Sequence, residues 1–395
     1  MKKITLLIVI YLAFISLGLP DSLLGAAWPE MYQGLAVPVF YAGIISMIIA
    51  GGTVVSSFFS SRIIKRFGVP AATTLSVFIT ALALLGFSYS SHFIFLCLLA
   101  IPLGLGAGCV DAALNNYVAL HYQARHMNWL HSFWGIGAAI GPVIMSGYLA
   151  QGKSWTSGYN TIAWIQLSLV LILIISIPIW IIDRKGPDSN DPSEKDHSLR
   201  TVLKIPGLKQ ALVVFFCYCS IEATFGLWGA SYLVFVKDFT PEEAAKLVSL
   251  YYAGITFGRF ASGFMTAKFS NRQLVYLGQS LIIAGLIVLA IPFRSTLAPA
   301  FFLIGLGCAP VFPSLLHETP RNFGEQHSQK IMGLQMACAY IGITFVPLLF
   351  GRLTDWFSYS SLTWFIGVLL LIKIFMVYEL NRKTDSAKRL NQLKV

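Results

Sequence analysis

Apolar residues along this chain come in long runs separated by short polar breaks, with none of the alternation that half-buried strands require. Twelve runs reach the roughly 20 residues that a helix needs to cross a bilayer. They lie near 4–28, 38–61, 69–90, 93–119, 128–150, 161–182, 208–236, 243–267, 273–293, 297–317, 330–352 and 360–380. Gly and Pro interrupt several of them, and the break "YSSH" between the third and fourth is thin. The first run opens with "MKK" and reaches "GAA", the layout of a signal peptide. Because many further runs follow, it reads as a retained first helix. The long polar stretch in the interior, "DRKGPDSNDPSEKDHSLRTVLK", divides six runs from six. The pattern therefore predicts an all-α integral membrane protein of 12 transmembrane helices: a bundle over 1–182, a cytoplasmic linker over 183–207, and a bundle over 208–395 with a short basic cytoplasmic tail.

Composition supports this solvent assignment. The chain is 56% hydrophobic and 11% charged, with a mean hydropathy of +0.72, which cannot coat a globule in water. Lys2, Lys3, Arg62, Lys65, Arg66, Arg125 and the basic residues of the linker and tail fall on one side. Lys153, Lys237, Lys246, Arg294 and Arg352 fall on the other. The excess obeys the positive-inside rule and places both termini in the cytoplasm of a multi-pass cell-membrane protein. The net charge of +11 then reflects topology and anionic lipid rather than nucleic acid.

The six cysteines all fall inside expected spans, and Cys217 and Cys219 stand about 200° apart on a helix, a poor pair for a metal. The chain contains no G-x-x-x-x-G-K-[ST], H-E-x-x-H or G-x-S-x-G sequence. An enzyme is not expected, nor catalytic residues, a metal site or any cofactor beyond a proton as coupling ion.

The halves echo each other. "YAGI" occurs at Tyr41 and Tyr252, "LGLGAG" at 103–108 answers "IGLGCA" at 304–309, and "IGxxxxP" runs from Ile136 to Pro142 and from Ile341 to Pro347. A duplicated six-helix unit of this kind places its substrate site near the midplane, between the halves. With its central charged loop, the chain resembles the major facilitator superfamily, and more narrowly its fucose/glucose–proton symporter branch. The resembling segments are "LPDSLL", "GLGAGCVDAALNNYV", "NWLHSFWGIGAAIGP", "SIEATFGLWGASYL", "GITFGRFASGF" and "GLGCAPVFPSLL". The superfamily's usual Gly and Asp-Arg loop after the second span is degraded here to "SSRIIKRFG".

Ionisable side chains deep in a span are costly, and so are candidates for function. They are Asp21, Asp111, His131, Glu222 and Arg259; Lys373 is expected nearer a span end, where it can snorkel. Helical spacing puts Gly18, Asp21 and Gly25 on one stripe and Gly104, Gly108, Asp111 and Asn115 on another. Counting along the helices sets Asp21 about 25 Å and Asp111 about 13 Å above the cytoplasmic side, two stations rather than one dyad. In the resembling symporters, acids in the first and fourth spans couple protons to sugar uptake. Asp21 and Asp111 match those positions, with Asp in place of Glu at the second. His131 is a further proton candidate, and Glu222 joins the set. Glu222 also forms an expected ion pair or gate with Arg259, for which Asp111 competes. A sugar needs amides for its hydroxyls and aromatic faces for its C–H surfaces. Asn115, Asn116, Gln279 and Gln335 offer the first, and Trp134, Trp228 and Tyr340 the second.

The expected function is secondary active transport by alternating access: proton-coupled symport of a small polar solute, a hexose or related sugar. The alternative is proton-driven efflux of drugs or metabolites, for which Gly137, Gly141 and Pro142 of "GIGAAIGP" resemble the fifth-span antiporter motif. The expected partners are a small-molecule substrate and the lipid bilayer, with no nucleic acid, and the protein is expected to be a monomer.

Overall fold

The computed structural model describes residues 2–122, 124–180, 203–266 and 268–392. The linker expected over 183–207 lies largely outside them. All regular structure among the described residues is helical, in the order α1 (Lys2–Asp21), α2 (Leu23–Gly34), α3 (Tyr41–Phe67), α4 (Val69–Tyr89), α5 (Phe93–His121), α6 (Ala124–Leu149) and α7 (Trp155–Ser176). The second half adds α8 (Leu208–Lys237), α9 (Pro241–Met265), α10 (Asn271–Ala290), α11 (Leu297–Cys308), α12 (Val311–His317), α13 (Thr319–Phe323), α14 (Glu325–Phe357) and α15 (Leu362–Gln392).

Eleven stretches of the described residues are long and apolar enough to cross a membrane. The twelfth expected span is α9, a 25-residue helix. Arg259 and the Gly, Ser, Thr and Tyr residues around it lower the hydropathy of α9 and keep it out of the strongly apolar set. It starts with a full capping box, Thr240 accepting from the Glu243 N–H and Glu243 returning to the Thr240 N–H. Pro20 marks the first span. It leaves the Ser16 carbonyl without an intrahelical donor, and the Gln166 amide of α7 donates to that carbonyl instead at 2.8 Å; the helix is interrupted at Ser22, between Asp21 and Leu23.

Glycines set how closely the helices approach. The space a Cβ would take on Gly104 of α5 is filled by the Ile49 carbonyl of α3, and that on Gly305 of α11 by the Tyr251 carbonyl of α9. Gly106 meets Ser76 and Thr80 of α4, as Gly307 meets Gly278 and Ile282 of α10. Gly137 of α6 meets Ile15 of α1, as Gly342 of α14 meets Phe216 of α8. The second and third sequence echoes therefore mark the same helix–helix contacts made twice. The "YAGI" echo does not: Tyr41 opens α3, whereas Tyr252 lies midway along α9. The equivalent close approaches on those helices are at Gly52 and Gly254.

The halves join through α2 with α8 and α9, α3 with α14, and α6 with α9. One end of this junction is filled with aromatic side chains. Trp28 and Trp228 are both fully buried. Their indole N–H groups donate to the Val39 carbonyl at 2.5 Å and to the Pro347 carbonyl at 2.8 Å. Tyr32 packs edge-on against Phe235, and the Arg352 guanidinium covers the Phe40 ring at 3.6 Å. Gly43 of α3 approaches Leu348 of α14 so closely that a Cβ there would press on its backbone. This seal lies at the end of the molecule remote from the termini.

Candidate functional site

Beneath the seal, α1, α6, α8 and α9 bring charged groups from both halves together. Asp21 ends α1 just after Pro20, and it is exposed although Leu19, Ser22, Leu23 and Leu24 around it are buried. An exposed carboxylate among buried neighbours lines an internal space rather than lipid. The Trp134 indole N–H of α6 donates to Asp21 Oδ2 at 2.7 Å. The same ring carries the Arg259 guanidinium of α9 over its face, 4.9 Å from the centroid, and meets the Tyr252 ring edge-on. Arg259 in turn reaches Glu222 Oε1 of α8 at 3.5 Å. Tyr251 donates its hydroxyl to the Glu222 carbonyl at 3.1 Å, which fixes the backbone beside the acid.

One indole thus links an acid of the first half to an ion pair of the second. A hydrogen bond to a carboxylate contributes about 1.5–3 kcal/mol, and a partly desolvated cation–π contact about 1–2 kcal/mol. The helix contacts explain the placement. Gly137 and Gly141 seat α6 on α1 at Ile15 and Leu19, and Gly135 seats it on α9 at Thr256. Trp134 sits between those two contacts.

Asp111 heads a second group. The Asn115 side chain, one turn further along α5, donates to Asp111 Oδ1 at 2.9 Å and to its carbonyl at 3.0 Å. Asn115 Oδ1 is buried without a partner among the described residues. Tyr340 lies half-buried on α14. Asp21 and Asp111 hydrogen-bond to different partners. His131, half-buried on α6, meets Phe14 edge-on.

Other candidates stand apart from both groups. Trp228 belongs to the aromatic seal, against Phe350 and Tyr359. Gln335 is buried and accepts from Thr319 at 3.0 Å, tying α14 to α13. Gln279 is buried on α10 with its Nε2 unpartnered among the described residues. Asn116 is exposed, pointing away from Asn115. Gly18 and Gly25, on the stripe of Asp21, press against α6 at Trp134 and α8 at Gly226.

The structure adds one residue that sequence reasoning set aside. Lys373 does not snorkel: it is fully buried, and its Nζ lacks a hydrogen-bond acceptor among the described residues. The signal lay in the flanks, because the apolar "IFMVY" that follows it leaves no water within reach of a lysine stem. Among the described residues no group of three or more His, Cys, Asp or Glu is placed to hold a metal ion.

Comparison with known proteins places this geometry. The family model of the Major Facilitator Superfamily matches residues 10–293 and 214–393. Bypass of stop codon protein 6 of Saccharomyces cerevisiae is 22% identical over 66% of this chain and 56% of its own length. The glucose/mannose transporter GlcP of Bacillus subtilis is 23% identical over 73% of each chain. The chain thus spans little more than half of the yeast relative. Among solved structures, a bacterial homolog of the human lysosomal transporter Spinster, inward-facing and occupied, superposes with a TM-score of 0.71 at 12% identity, covering 97% of both chains. The nucleoside transporter NupG gives 0.73 at 12% identity, covering 95% of this chain and 98% of its own.

Proposed function

The chain belongs to the Major Facilitator Superfamily, and from that premise we propose that this multi-pass transporter carries a hexose or related sugar into the cell together with protons. The observation that carries the reading is Asp21, an accessible carboxylate inside the bundle, held by an indole that also bears a cation of the opposite half. A group of this kind can exchange a proton and alter the contact between the halves in one step. Asp111 is the second proton station, and His131 and Glu222 complete the titratable set. Asn115, with an unpartnered amide oxygen, and the aromatic faces of Trp134 and Tyr340 supply the sugar contacts. The similarity to a protein named as a glucose/mannose transporter supports the substrate class.

The seat of the protein is the cell membrane, with both termini cytoplasmic. The aromatic seal then closes the outer end. The protein works as a monomer, because both halves of the site lie within one chain. The efflux alternative loses its main support here. Gly137 and Gly141 of its motif are accounted for by the contact of α6 with α1, which carries no direction.

The deciding experiment uses protein reconstituted in proteoliposomes with radiolabelled glucose and mannose. An inward proton gradient is expected to drive accumulation above the outside concentration. Accumulation driven only by the opposite gradient would replace symport with antiport, and no response to either sugar would remove the substrate class.

A further inference from the structure

Lys373 of α15 and Tyr218 of α8 form a buried polar pair that the site described above does not use. Lys373 is 0% exposed and Tyr218 1%. The ammonium lies over the Tyr218 ring, 5.4 Å from its centroid. Neither the Lys373 Nζ nor the Tyr218 hydroxyl has a hydrogen-bond partner among the described residues. Tyr218 is flanked on α8 by the buried Cys217 and Cys219. Glu222 stands one helical turn from Tyr218, on the same face of α8.

A buried ammonium with no counter-charge is held at a large desolvation cost, and evolution by packing alone would place an apolar side chain there. Glu222, meanwhile, is only loosely engaged. Its contact with Arg259 is a single one, at 3.5 Å, longer than the 2.7–2.9 Å of a well-made charge-assisted bond. The acid therefore has one weak partner, Arg259, which stacks on Trp134 of the first half, and a second cation of its own half, Lys373, that is unsatisfied.

We propose that Lys373 is the second partner of Glu222, and that the carboxylate passes from Arg259 to Lys373 as the transporter changes between its two access states. The transfer leaves Arg259, still stacked on Trp134, without its counter-ion just where Asp21 is held. The charge of the second half is thereby made to depend on the state of the acid in the first. Lys373 acts as a positioning residue, since it holds Glu222 and touches neither sugar nor proton directly. The transfer rests on alternating access and not on the identity of the substrate.

The test combines Lys373→Met, Glu222→Gln and their double variant in the full-length protein. Lys373→Met removes a buried charge for an apolar chain of similar length, so it is expected to fold. In a double-mutant cycle on thermal unfolding, without any sugar, the two substitutions are expected to be non-additive. In glucose counterflow, Lys373→Met is expected to slow exchange at least tenfold while glucose still raises the melting temperature. The double variant, with no charge left to transfer, is expected to regain at least half of the wild-type rate. An additive cycle, wild-type exchange by Lys373→Met, or a double variant that binds glucose but stays as slow as Lys373→Met would each overturn the proposal. Should Lys373→Met fail to fold, recovery of folding in the double variant supports the pairing, and failure of both overturns it. If wild-type protein does not exchange glucose, the sugar reading falls, and the unfolding cycle alone decides the Glu222–Lys373 pairing.

Discussion

At the residue scale, Trp134 does two jobs that a substitution can separate. Trp134→Phe keeps an aromatic face beneath Arg259 but removes the N–H that holds Asp21. Losing a hydrogen bond to a carboxylate, about 1.5–3 kcal/mol, predicts a tenfold or greater fall in gradient-driven accumulation and a melting temperature lower by a few degrees. Trp134→Leu, which loses both contacts, is expected to lower the melting temperature further. Asp111→Asn retains the amide hydrogen-bonding of Asn115 but cannot carry a proton. It is expected to abolish accumulation in proteoliposomes and to leave counterflow within a few-fold of wild type; unchanged accumulation would remove Asp111 from the coupling set. Asp21 and Asp111 were legible in the sequence because a carboxylate inside an apolar run has no cheap explanation. Their partners were not, since Trp134 stands among many aromatic residues in a chain that is 14% aromatic.

At the element scale, helix spacing is governed by positions where backbone meets backbone. Gly305 lies against the Tyr251 carbonyl of α9, whereas Gly51 has open space on its Cβ side. Gly305→Val is expected to destabilise the protein by about 1–3 kcal/mol, as overpacking does, visible as a fall of several degrees in the melting temperature of the detergent-solubilised protein. Gly51→Ala, its control, is expected to be neutral or to stabilise by up to about 1 kcal/mol through helix propensity. Equal losses at both positions would mean that general helix strain, not the α9–α11 contact, sets the effect. Lys373 teaches a related lesson about elements. The expected span over 360–380 put it near an end, but α15 runs on to Gln392. Span ends were read from polarity, and a helix that continues past the bilayer shifts every depth estimate along it.

On the scale of the whole molecule, the two halves meet where α2, α3, α8 and α14 close one end with aromatic rings. Alternating access requires this seal to part. Gly43 and Leu348 face each other across it, and a Cβ on Gly43 would stand 2.8 Å from the Leu348 Cα, closer than packed atoms allow. Gly43→Val is therefore expected to hold the halves apart at this end and to lower gradient-driven accumulation at least tenfold. Accumulation at the wild-type level in this variant would show that the close approach at Gly43 is not needed for transport.

The sequence by itself determined the helical class, the long apolar spans, the repeated glycine contacts and the acids set inside apolar runs. Each is a matter of local composition and period: long apolar runs must be helices in lipid, and glycines recur wherever helices must approach closely. Only the tertiary structure decided which acid meets which base. Arg259 reaches Glu222 rather than Asp111, Trp228 closes the seal, and Lys373 is enclosed by α8. Those outcomes depend on helix tilt, on the interruption at Ser22 and on the rotation of α6 between α1 and α9. A one-dimensional pattern records on which stripe a side chain lies, but not which neighbouring helix that stripe will face.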